Sequence, residues 1–335
     1  MRLVLLVSTL LTLNVAAAPA AAQSADPNVD ACINKSGDVA IAACTAAITS
    51  SRLSTADLAV MFYDRGVEYG NRKDYDRAFS DYSEAIRLNP KDPDPFNNRG
   101  LIYMAQNDYA HALADYTEAI RLNPKNPNPF YNRGLLYEAQ NDYAHALADY
   151  TEAIRLDPKN STPFNDRGIV YKAQNDYAHA LADYNEAIRL NPKYATAFYN
   201  RGLLYKAQKD YAHALADYTE AIRLDPKDPD PFNNRGNVYK AQNDYAHALA
   251  DYTEAIRLNP KDPDPFVGRG IVYRLQKDYA RAIADFDEAI RINPNYAWAL
   301  YGRGLARAAL GQTVGAKADM TRGLAIDPHI DQEFK

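Results

Sequence analysis

The sequence predicts an all-α solenoid, in which short helical hairpins stack one upon the next. A pattern of 34 residues returns without insertion from about residue 59 to residue 330. Each copy has room for two amphipathic helices of about 12–15 residues, a length that is only marginally stable in isolation. Each pair must therefore bury its apolar side against the neighbouring copies, and a stack of hairpins is the result.

The copy at residues 93–126 represents the repeating unit. Asp94 followed by Pro95 predicts an N-cap and the first position of a helix, where a missing N–H costs nothing. Asp108 predicts the cap of a second helix after a short turn. Pro124 predicts the end of that helix, because the residue before a proline disfavours the α conformation. The unit is therefore a helix, a turn and a helix.

Small and charged residues predict how the two helices pack. Gly100 and Ala112 lie symmetrically about the turn and are expected to face each other across the hairpin. Arg99 is expected to pair with an aspartate such as Asp115 on an adjoining second helix and so to hold neighbouring hairpins in register. The carboxylates are predicted to serve these arginines rather than acid/base catalysis, which needs one asymmetric site.

The order aromatic, glycine, tyrosine, alanine, aromatic, alanine and proline at these spacings resembles the tetratricopeptide repeat. The resemblance implies a right-handed α-solenoid of eight helix-turn-helix repeats. Their predicted bounds are 59–92, 93–126, 127–160, 161–194, 195–228, 229–262, 263–296 and 297–330. An arginine precedes every repeat glycine, where the family usually has leucine. The last copy departs further, as expected of a terminal repeat.

The two ends of the chain carry different predictions. Residues 1–22 contain a short apolar run and an alanine-rich end, which predict a secretory signal peptide; an uncleaved anchor is the alternative. Residues 23–58 are predicted to form an N-terminal capping hairpin, and residues 331–335 a tail. The expected location is exported, either periplasmic or secreted.

The only two cysteines, Cys32 and Cys44, lie on either side of the turn predicted in the capping hairpin. In an oxidising compartment they are expected to form a disulfide that closes a loop of about a dozen residues. The alternative is a pair of buried free thiols. A metal site is not expected, since no histidine accompanies the pair.

Composition and spacing exclude several classes of function. The formal net charge is −5, and the basic residues are spread along the repeats, so nucleic acid is not an expected partner. No insertion leaves room for a catalytic domain, and we expect neither an enzyme nor a cofactor. Five histidines recur once per repeat, too far apart to share a metal ion. They are His111, His145, His179, His213 and His247.

The resemblance implies which residues of the first helices face a binding groove. Two residues before the glycines stand Asp64, Asn98, Asn132, Asp166, Asn200 and Asn234; three before them, Tyr131 and Tyr199; four after them, Lys172, Lys206, Lys240 and Arg274. The first row is similar to the asparagine ladder of O-linked N-acetylglucosamine transferase, whose amides hold an extended polypeptide. Amides both donate and accept hydrogen bonds, so such a row can satisfy peptide groups without reading sequence. The alternative is a polar face that is merely solvated.

These observations favour a non-enzymatic protein-protein interaction scaffold or adaptor that binds extended polypeptide segments in its groove. The alternative is a structural spacer or a self-assembling module of the cell envelope, in which copies of the chain associate with one another. The lysines and arginines that clamp a carboxyl-terminal peptide in chaperone-binding repeat domains are absent, because this chain has Asn, Tyr and Leu at several of those positions.

Overall fold

The computed structural model describes residues 27–50 and 53–334, so the predicted signal peptide at residues 1–22 lies outside the described residues. In the described ranges the chain forms eighteen α-helices, one short 3₁₀ segment and no strand. None of these helices combines the length and apolar character needed to cross a bilayer. The predicted all-α class is confirmed.

The helices follow one another in pairs. In chain order they are α1 (Pro27–Asn34), α2 (Gly37–Thr49), α3 (Thr55–Asn71), α4 (Tyr75–Leu88), α5 (Pro93–Ala105), α6 (Tyr109–Leu122), α7 (Pro127–Ala139), α8 (Tyr143–Leu156), α9 (Ser161–Ala173), α10 (Tyr177–Leu190), α11 (Ala195–Ala207), α12 (Tyr211–Leu224), α13 (Pro229–Ala241), α14 (Tyr245–Leu258), α15 (Pro263–Leu275), α16 (Tyr279–Ile292), α17 (Ala297–Ala309) and α18 (Thr313–Ile326), followed by the 3₁₀ segment Ile330–Phe334. From α3 onward, odd numbers are the first helices of hairpins and even numbers are the second. The exact repeat and cap boundaries drawn from the sequence stay a prediction.

The chain divides into two compact units, an N-terminal unit up to Val170 and a C-terminal unit from Tyr171. In the N-terminal unit α5 packs on α6, and α6 packs on α7 of the next hairpin. In the C-terminal unit α13, α14 and α15 follow the same order. Within each unit, these first helices therefore pack on their own second helices, and the second helices pack on the next hairpin, as in a solenoid.

The first helix of the representative hairpin begins two residues earlier than predicted. Asp92, not Asp94, is the N-cap, and its side chain accepts a hydrogen bond from the Asp94 N–H. Pro93 takes the first helical position, where no N–H is needed. The predicted cap of the second helix is confirmed, since Asp108 accepts from the His111 N–H. Between the helices Asn107 has a φ of 60°, the left-handed conformation that stops a helix.

Gly100 lies against the Tyr116 ring of the second helix, and its expected contact with Ala112 stays a prediction. The side chain nearest to Gly100 is Tyr116, and a Cβ added to Gly100 would lie 2.6 Å from that ring. Tyr116 and Ala112 are both fully buried. The glycine therefore makes room for a large aromatic ring from the second helix, and Tyr or Phe occupies the same place in seven hairpins: Tyr82, Tyr116, Tyr150, Tyr184, Tyr218, Tyr252 and Phe286.

The recurrent arginines form bidentate ion pairs within their own hairpins. Arg99 Nε and Nη2 each donate to the Asp115 carboxylate over 2.8 Å. The third nitrogen, Nη1, donates over 3.3 Å to the Ser83 hydroxyl on α4 of the preceding hairpin. The prediction of an Arg–Asp pair is correct, but its placement between hairpins is not. The hydroxyl bond is the hydrogen bond of Arg99 that reaches the neighbouring hairpin.

The predicted disulfide between Cys32 and Cys44 is present and joins α1 to α2, with 4.7 Å between the two Cα atoms. Both cysteines are buried. This first hairpin is attached to α3 by the Gly37 N–H, which donates to Glu68 Oε2 over 2.7 Å, and by an ion pair between Arg72 and Asp38. The disulfide-bonded hairpin therefore covers one side of α3.

Reduction of the disulfide is expected to destabilise the first hairpin by about 2–3 kcal/mol, since the bond closes a short loop. The loss should be local, because a stack of hairpins couples nearest neighbours. Hydrogen exchange with and without reductant should show lost protection in α1, α2 and α3, and unchanged protection in α12 to α14. A Cys32→Ser/Cys44→Ser variant is the control, and uniform loss along the chain would contradict the local effect.

Candidate binding surface on the first helices

The first helices of successive hairpins contact one another directly. In the N-terminal unit α5 contacts α7; in the C-terminal unit α11 contacts α13, α13 contacts α15, and α15 contacts α17. We call the surface that these odd-numbered helices form in each unit its inner face. The residues predicted to bind a peptide all belong to these helices, and the structure shows what each row of them contacts.

The residues two and three positions before the repeat glycines bond to each other from one hairpin to the next. Asn98 Nδ2 donates to the Tyr63 hydroxyl over 3.2 Å, and Asn132 Nδ2 donates to Asn97 Oδ1 over 2.9 Å. In the C-terminal unit, Asn234 Nδ2 donates to the Tyr199 hydroxyl over 3.1 Å. These hydrogen bonds join neighbouring first helices side by side.

At the next step in the N-terminal unit, the same pairing joins a tyrosine to a carboxylate by a hydrogen bond. Tyr131 donates its hydroxyl proton to Asp166 Oδ2 over 2.7 Å, and Asn165 Nδ2 donates to Asp166 Oδ1 over 2.9 Å. Asp166 is buried, as are Asn98, Asn132 and Asn200. Much of the predicted asparagine row is therefore engaged by the protein itself. The alternation of Tyr and Asn three residues before the glycines is the signal in the sequence that corresponds to this pairing.

The side-by-side bonds stop at Gly268. Asn233 stands where a bond to the next hairpin would start, but Gly268 has no side chain to receive it, and Asn233 Oδ1 is buried without a hydrogen-bond partner. A Cβ at Gly268 would lie 2.5 Å from the ring of Tyr252, so packing requires glycine there. The inner face of the C-terminal unit therefore contains an unused acceptor.

Partly buried carboxyl groups mark the inner face of the N-terminal unit. A cavity of about 470 Å³ lies between the first hairpin and α3, and Asp64 and Glu68 are among its lining residues. Asp64 Oδ2 is buried there with no hydrogen-bond partner. Burial raises the pKa of Asp64 to about 7, with smaller contributions from the charges of Glu68 and Asp92.

A second acidic pair lies further along the same unit. Tyr150 donates its hydroxyl proton to Glu138 Oε2 over 2.7 Å. Burial raises the pKa of Glu138 to about 7, and the neighbouring charge of Asp166 adds to the shift. Burial likewise raises the pKa of Asp166 to about 6, against the hydrogen bonds from Tyr131 and Asn165. Burial therefore moves the titration of both carboxyls upward, toward neutral pH.

In the C-terminal unit, the repeat position that Glu138 occupies in the N-terminal unit carries cations. Lys172, Lys206, Lys240 and Arg274 lie four residues after their repeat glycines and are all partly buried. Lys206 Nζ donates to Asn234 Oδ1 over 2.9 Å. Burial lowers the pKa of Lys240 to about 8, and repulsion from Lys206 contributes. Burial also lowers the pKa of Lys206 and of Arg274.

The repeated histidines have a structural role. His111 Nδ1 lies 2.8 Å from Asp108 Oδ2, and its ring stacks on Tyr103 with 5.0 Å between ring centroids. The same contact recurs at His145, His179, His213 and His247. All five side chains are exposed on second helices. In the described ranges no group of three or more His, Cys, Asp or Glu residues is placed to hold a metal ion.

Paired helices of constant length, with a buried aromatic residue against a glycine in each pair, define a helical-hairpin repeat protein. Family models described as "TPR repeat" match residues 66–106, 100–141 and 168–209, and models described as "Tetratricopeptide repeat" match residues 127–160, 195–228 and 233–297. These matches together span more than half of the chain. The protein belongs to the tetratricopeptide repeat family.

Solved structures with the same fold come from several proteins. A tetratricopeptide repeat protein from Parabacteroides merdae is 23% identical, with a TM-score of 0.57 over 74% of this chain and 98% of that chain. A chain of the APC/C hetero-tetramer Cut9–Hcn1 is 17% identical, with a TM-score of 0.61 over 82% of this chain and 52% of that chain. PilF from Pseudomonas aeruginosa is 18% identical, with a TM-score of 0.56 over 62% and 94%. No curated protein is significantly similar in sequence. The repeats indicate a protein-interaction scaffold.

Proposed function

We propose that the chain is a non-enzymatic scaffold that holds extended segments of partner proteins along its inner faces. The observation that carries this proposal is the row of side chains four residues after the repeat glycines. Its members recur once per hairpin and are partly buried, and they include Met104, Glu138, Lys206 and Lys240. A regularly spaced row suits an extended polypeptide, whose groups also recur at regular intervals.

The asparagine row is poorly suited to the main contacts with a partner, because the protein itself already bonds several of its amides. Asn98 and Asn132 are buried and bonded to neighbouring hairpins, so their amides have little capacity left for a ligand. Asn234 is less buried and already bonds to Tyr199 and Lys206. We therefore assign contact with the partner chiefly to the row after the glycines, and a supporting role to the asparagines.

We further propose that the chain has no chemistry of its own and acts in an exported compartment. Repeated residues give equivalent positions rather than one asymmetric catalytic site. The apolar run in residues 1–22 and the buried disulfide between Cys32 and Cys44 support export, because disulfides persist in oxidising compartments.

Site-specific crosslinking tests the binding surface. A photoreactive amino acid replaces Met104 or Lys206 on the first helices, and Ala114 or Ala216, exposed on second helices, in the matched controls. Linear peptides are selected against the purified chain from a random display library. We expect the selected peptides to crosslink at the two inner positions and not at the controls, as read by mass spectrometry. Crosslinks confined to Ala114 and Ala216, or a library that yields no binder, would reject the proposal.

A second candidate function is self-association, and one observation favours it. The last helix, α18, exposes Val314, Leu324 and Ile326, and Leu310 is exposed just before it. Val314 is 84% exposed. A second copy of the chain is an occupant that would cover these apolar groups. Light scattering over a range of concentrations tests it: a mass that grows with concentration, and returns to the monomer in Val314→Glu, supports self-association, whereas a constant monomer excludes it.

A further inference from the structure

Three cations on the inner face of the C-terminal unit have no carboxylate partner. Lys206, Lys240 and Arg274 lie at the same position of α11, α13 and α15, and these helices contact one another in order. In the part of the chain that the structure describes, none of the three forms an ion pair. By contrast, Arg235 and Arg269 on the same helices are each held by an aspartate at 2.8 Å.

Burial makes these unpaired cations costly for the protein. The lowered pKa of Lys206, Lys240 and Arg274 arises first from desolvation, which penalises the charged form. An anion placed against the row would restore the interactions that water no longer supplies, and charge-assisted hydrogen bonds are the strongest of their kind. The row therefore fits a ligand with several negative charges.

Two buried polar atoms on the same first helices also lack hydrogen-bond partners. Asn233 Oδ1 is a buried acceptor and Arg274 Nε a buried donor, and neither has a hydrogen-bond partner. Buried polar atoms in native proteins are nearly always bonded, so each orphan needs an explanation. The two atoms mark this part of the unit as one whose internal hydrogen bonding is incomplete.

The chain's own C-terminal segment shows what else this face accommodates. Phe334 lies under the Arg274 guanidinium, with 5.5 Å from its ring centroid to Cζ. Its ring is 5.2 Å from the Trp298 ring and 5.4 Å from the Tyr301 ring. Ile330, at the start of the segment, is fully buried and anchors it. An aromatic side chain next to a cation is therefore a natural occupant of this end of the face.

We infer that the inner face of the C-terminal unit binds an acidic polypeptide segment that carries an aromatic residue, and that Phe334 of the chain itself occupies the aromatic position until the partner arrives. Carboxylates of the segment lie along Lys206, Lys240 and Arg274, and its aromatic ring takes the place of Phe334. The inference rests on the proposed function and gives the partner a chemical class. The segment Ile330–Phe334 of the chain itself also combines an acidic residue, Asp331, with an aromatic one, Phe334.

Fluorescence anisotropy with short synthetic peptides tests the inference. The probe contains Asp, Glu and one Phe; one matched peptide has Asn and Gln in place of the acids, and another has Ser in place of Phe. We expect the acidic aromatic peptide to bind, with each matched peptide weaker by about tenfold, and the binding to weaken as salt is raised. Equal binding of the Asn/Gln peptide would overturn the inference while leaving the proposed function intact.

Matched variants locate the site. Lys206→Met/Lys240→Met should weaken binding of the acidic peptide by about tenfold or more. Methionine fits the position, because Met104 stands there in α5. Lys227→Met/Lys261→Met removes the same charge from exposed turns and should change affinity less than about twofold. Equal loss in both double variants would mean general attraction by charge and would reject the site.

Two further measurements test the role of Phe334 and the chemical class of the partner. Phe334→Ala should tighten binding of the acidic aromatic peptide severalfold, because the competing ring is gone. Unchanged affinity would contradict the role of Phe334. A single-stranded oligonucleotide that binds more tightly than the peptide, and is released by the Lys206→Met/Lys240→Met change, would show that the partner class is wrong.

Discussion

Replacing Asp149 with alanine is expected to lower the free energy of unfolding by about 3–5 kcal/mol, a large effect for a single substitution. Asp149 accepts two hydrogen bonds from Arg133, of 2.8 and 2.9 Å, and its side chain is 8% exposed. Without the carboxylate, the partly buried guanidinium of Arg133 keeps the hydroxyl of Thr117, at 3.3 Å, and the Phe130 ring, with 5.9 Å from its centroid to Cζ. The cost comes from leaving that charge uncompensated. Urea denaturation followed by circular dichroism measures it.

The same helix offers a matched control. Glu152 lies one turn further along α8 and makes an ion pair with Arg155 of similar length, 2.6 Å, but Arg155 is exposed and Glu152 is partly exposed. Exposed pairs contribute little, because water and salt replace the lost interaction. Glu152→Ala should therefore leave the denaturation midpoint close to that of the parent. If Asp149→Ala and Glu152→Ala were equally mild, the Arg–Asp bond would not hold the hairpin together.

The second large effect is a gain of stability. Asp64→Asn should raise the free energy of unfolding at pH 8 by roughly 2–4 kcal/mol, because it removes a carboxylate whose pKa burial raises to about 7. Asparagine is already present at the equivalent position in the next two hairpins, as Asn98 and Asn132. An amide in place of Asp64 is therefore compatible with the packing of the first helix.

The direction of the pH dependence follows from the raised pKa. Below about pH 4 the Asp64 carboxyl is protonated in both the folded and the unfolded chain, and it has no effect. Between about pH 4 and pH 7 the unfolded chain releases this proton while the folded chain retains it, so stability falls as the pH rises. Above about pH 7 the carboxyl is ionised in both states, and its effect on the free energy of unfolding no longer changes with pH. The advantage of Asp64→Asn should thus grow from near zero at pH 4 to its full value at pH 8.

Denaturation midpoints at several pH values measure this advantage. Asp76→Asn is the control, since Asp76 is exposed on α4 and the variant removes the same charge from a solvated site. Its midpoint should follow the parent at every pH. A pH-independent gain from Asp64→Asn would mean that the effect comes from general charge reduction or packing rather than from proton release.

The sequence was sufficient for the fold because helix length and caps are local properties. Asp108 ends one turn and starts one helix whatever lies around it, so its role was predicted correctly. The close approach of the Tyr116 ring to Gly100 was not predicted, because symmetry about the turn says nothing of the size of the ring that enters from the second helix. The bond partners of Arg99 similarly depend on which hairpin lies within reach of each nitrogen.

The predicted binding residues stay a prediction, but the structure shows which of their polar atoms are already bonded within the protein. The residues implied by the family resemblance do lie on the first helices, but whether an amide is available depends on its neighbour 35 positions away. Asn132 is engaged by Asn97, whereas Asn233 Oδ1 has no partner because a glycine follows in the next hairpin. The pKa of Asp64 depends on burial, which no pattern of residue types reports. The signal peptide at residues 1–22 and the exact segment bounds stay predictions.

The hydroxyl bond that joins several hairpins to the one before has a consequence for how the chain can change over time. Arg99 reaches Ser83, Arg133 reaches Thr117, and Arg235 reaches Thr219, each with the same nitrogen and the same offset along the chain. A duplication or loss of one whole hairpin would bring together two surfaces that already match. The gene can therefore lengthen or shorten its product in units of 34 codons without inventing a new junction, and its near-identical copies are the sequences in which such recombination is easiest.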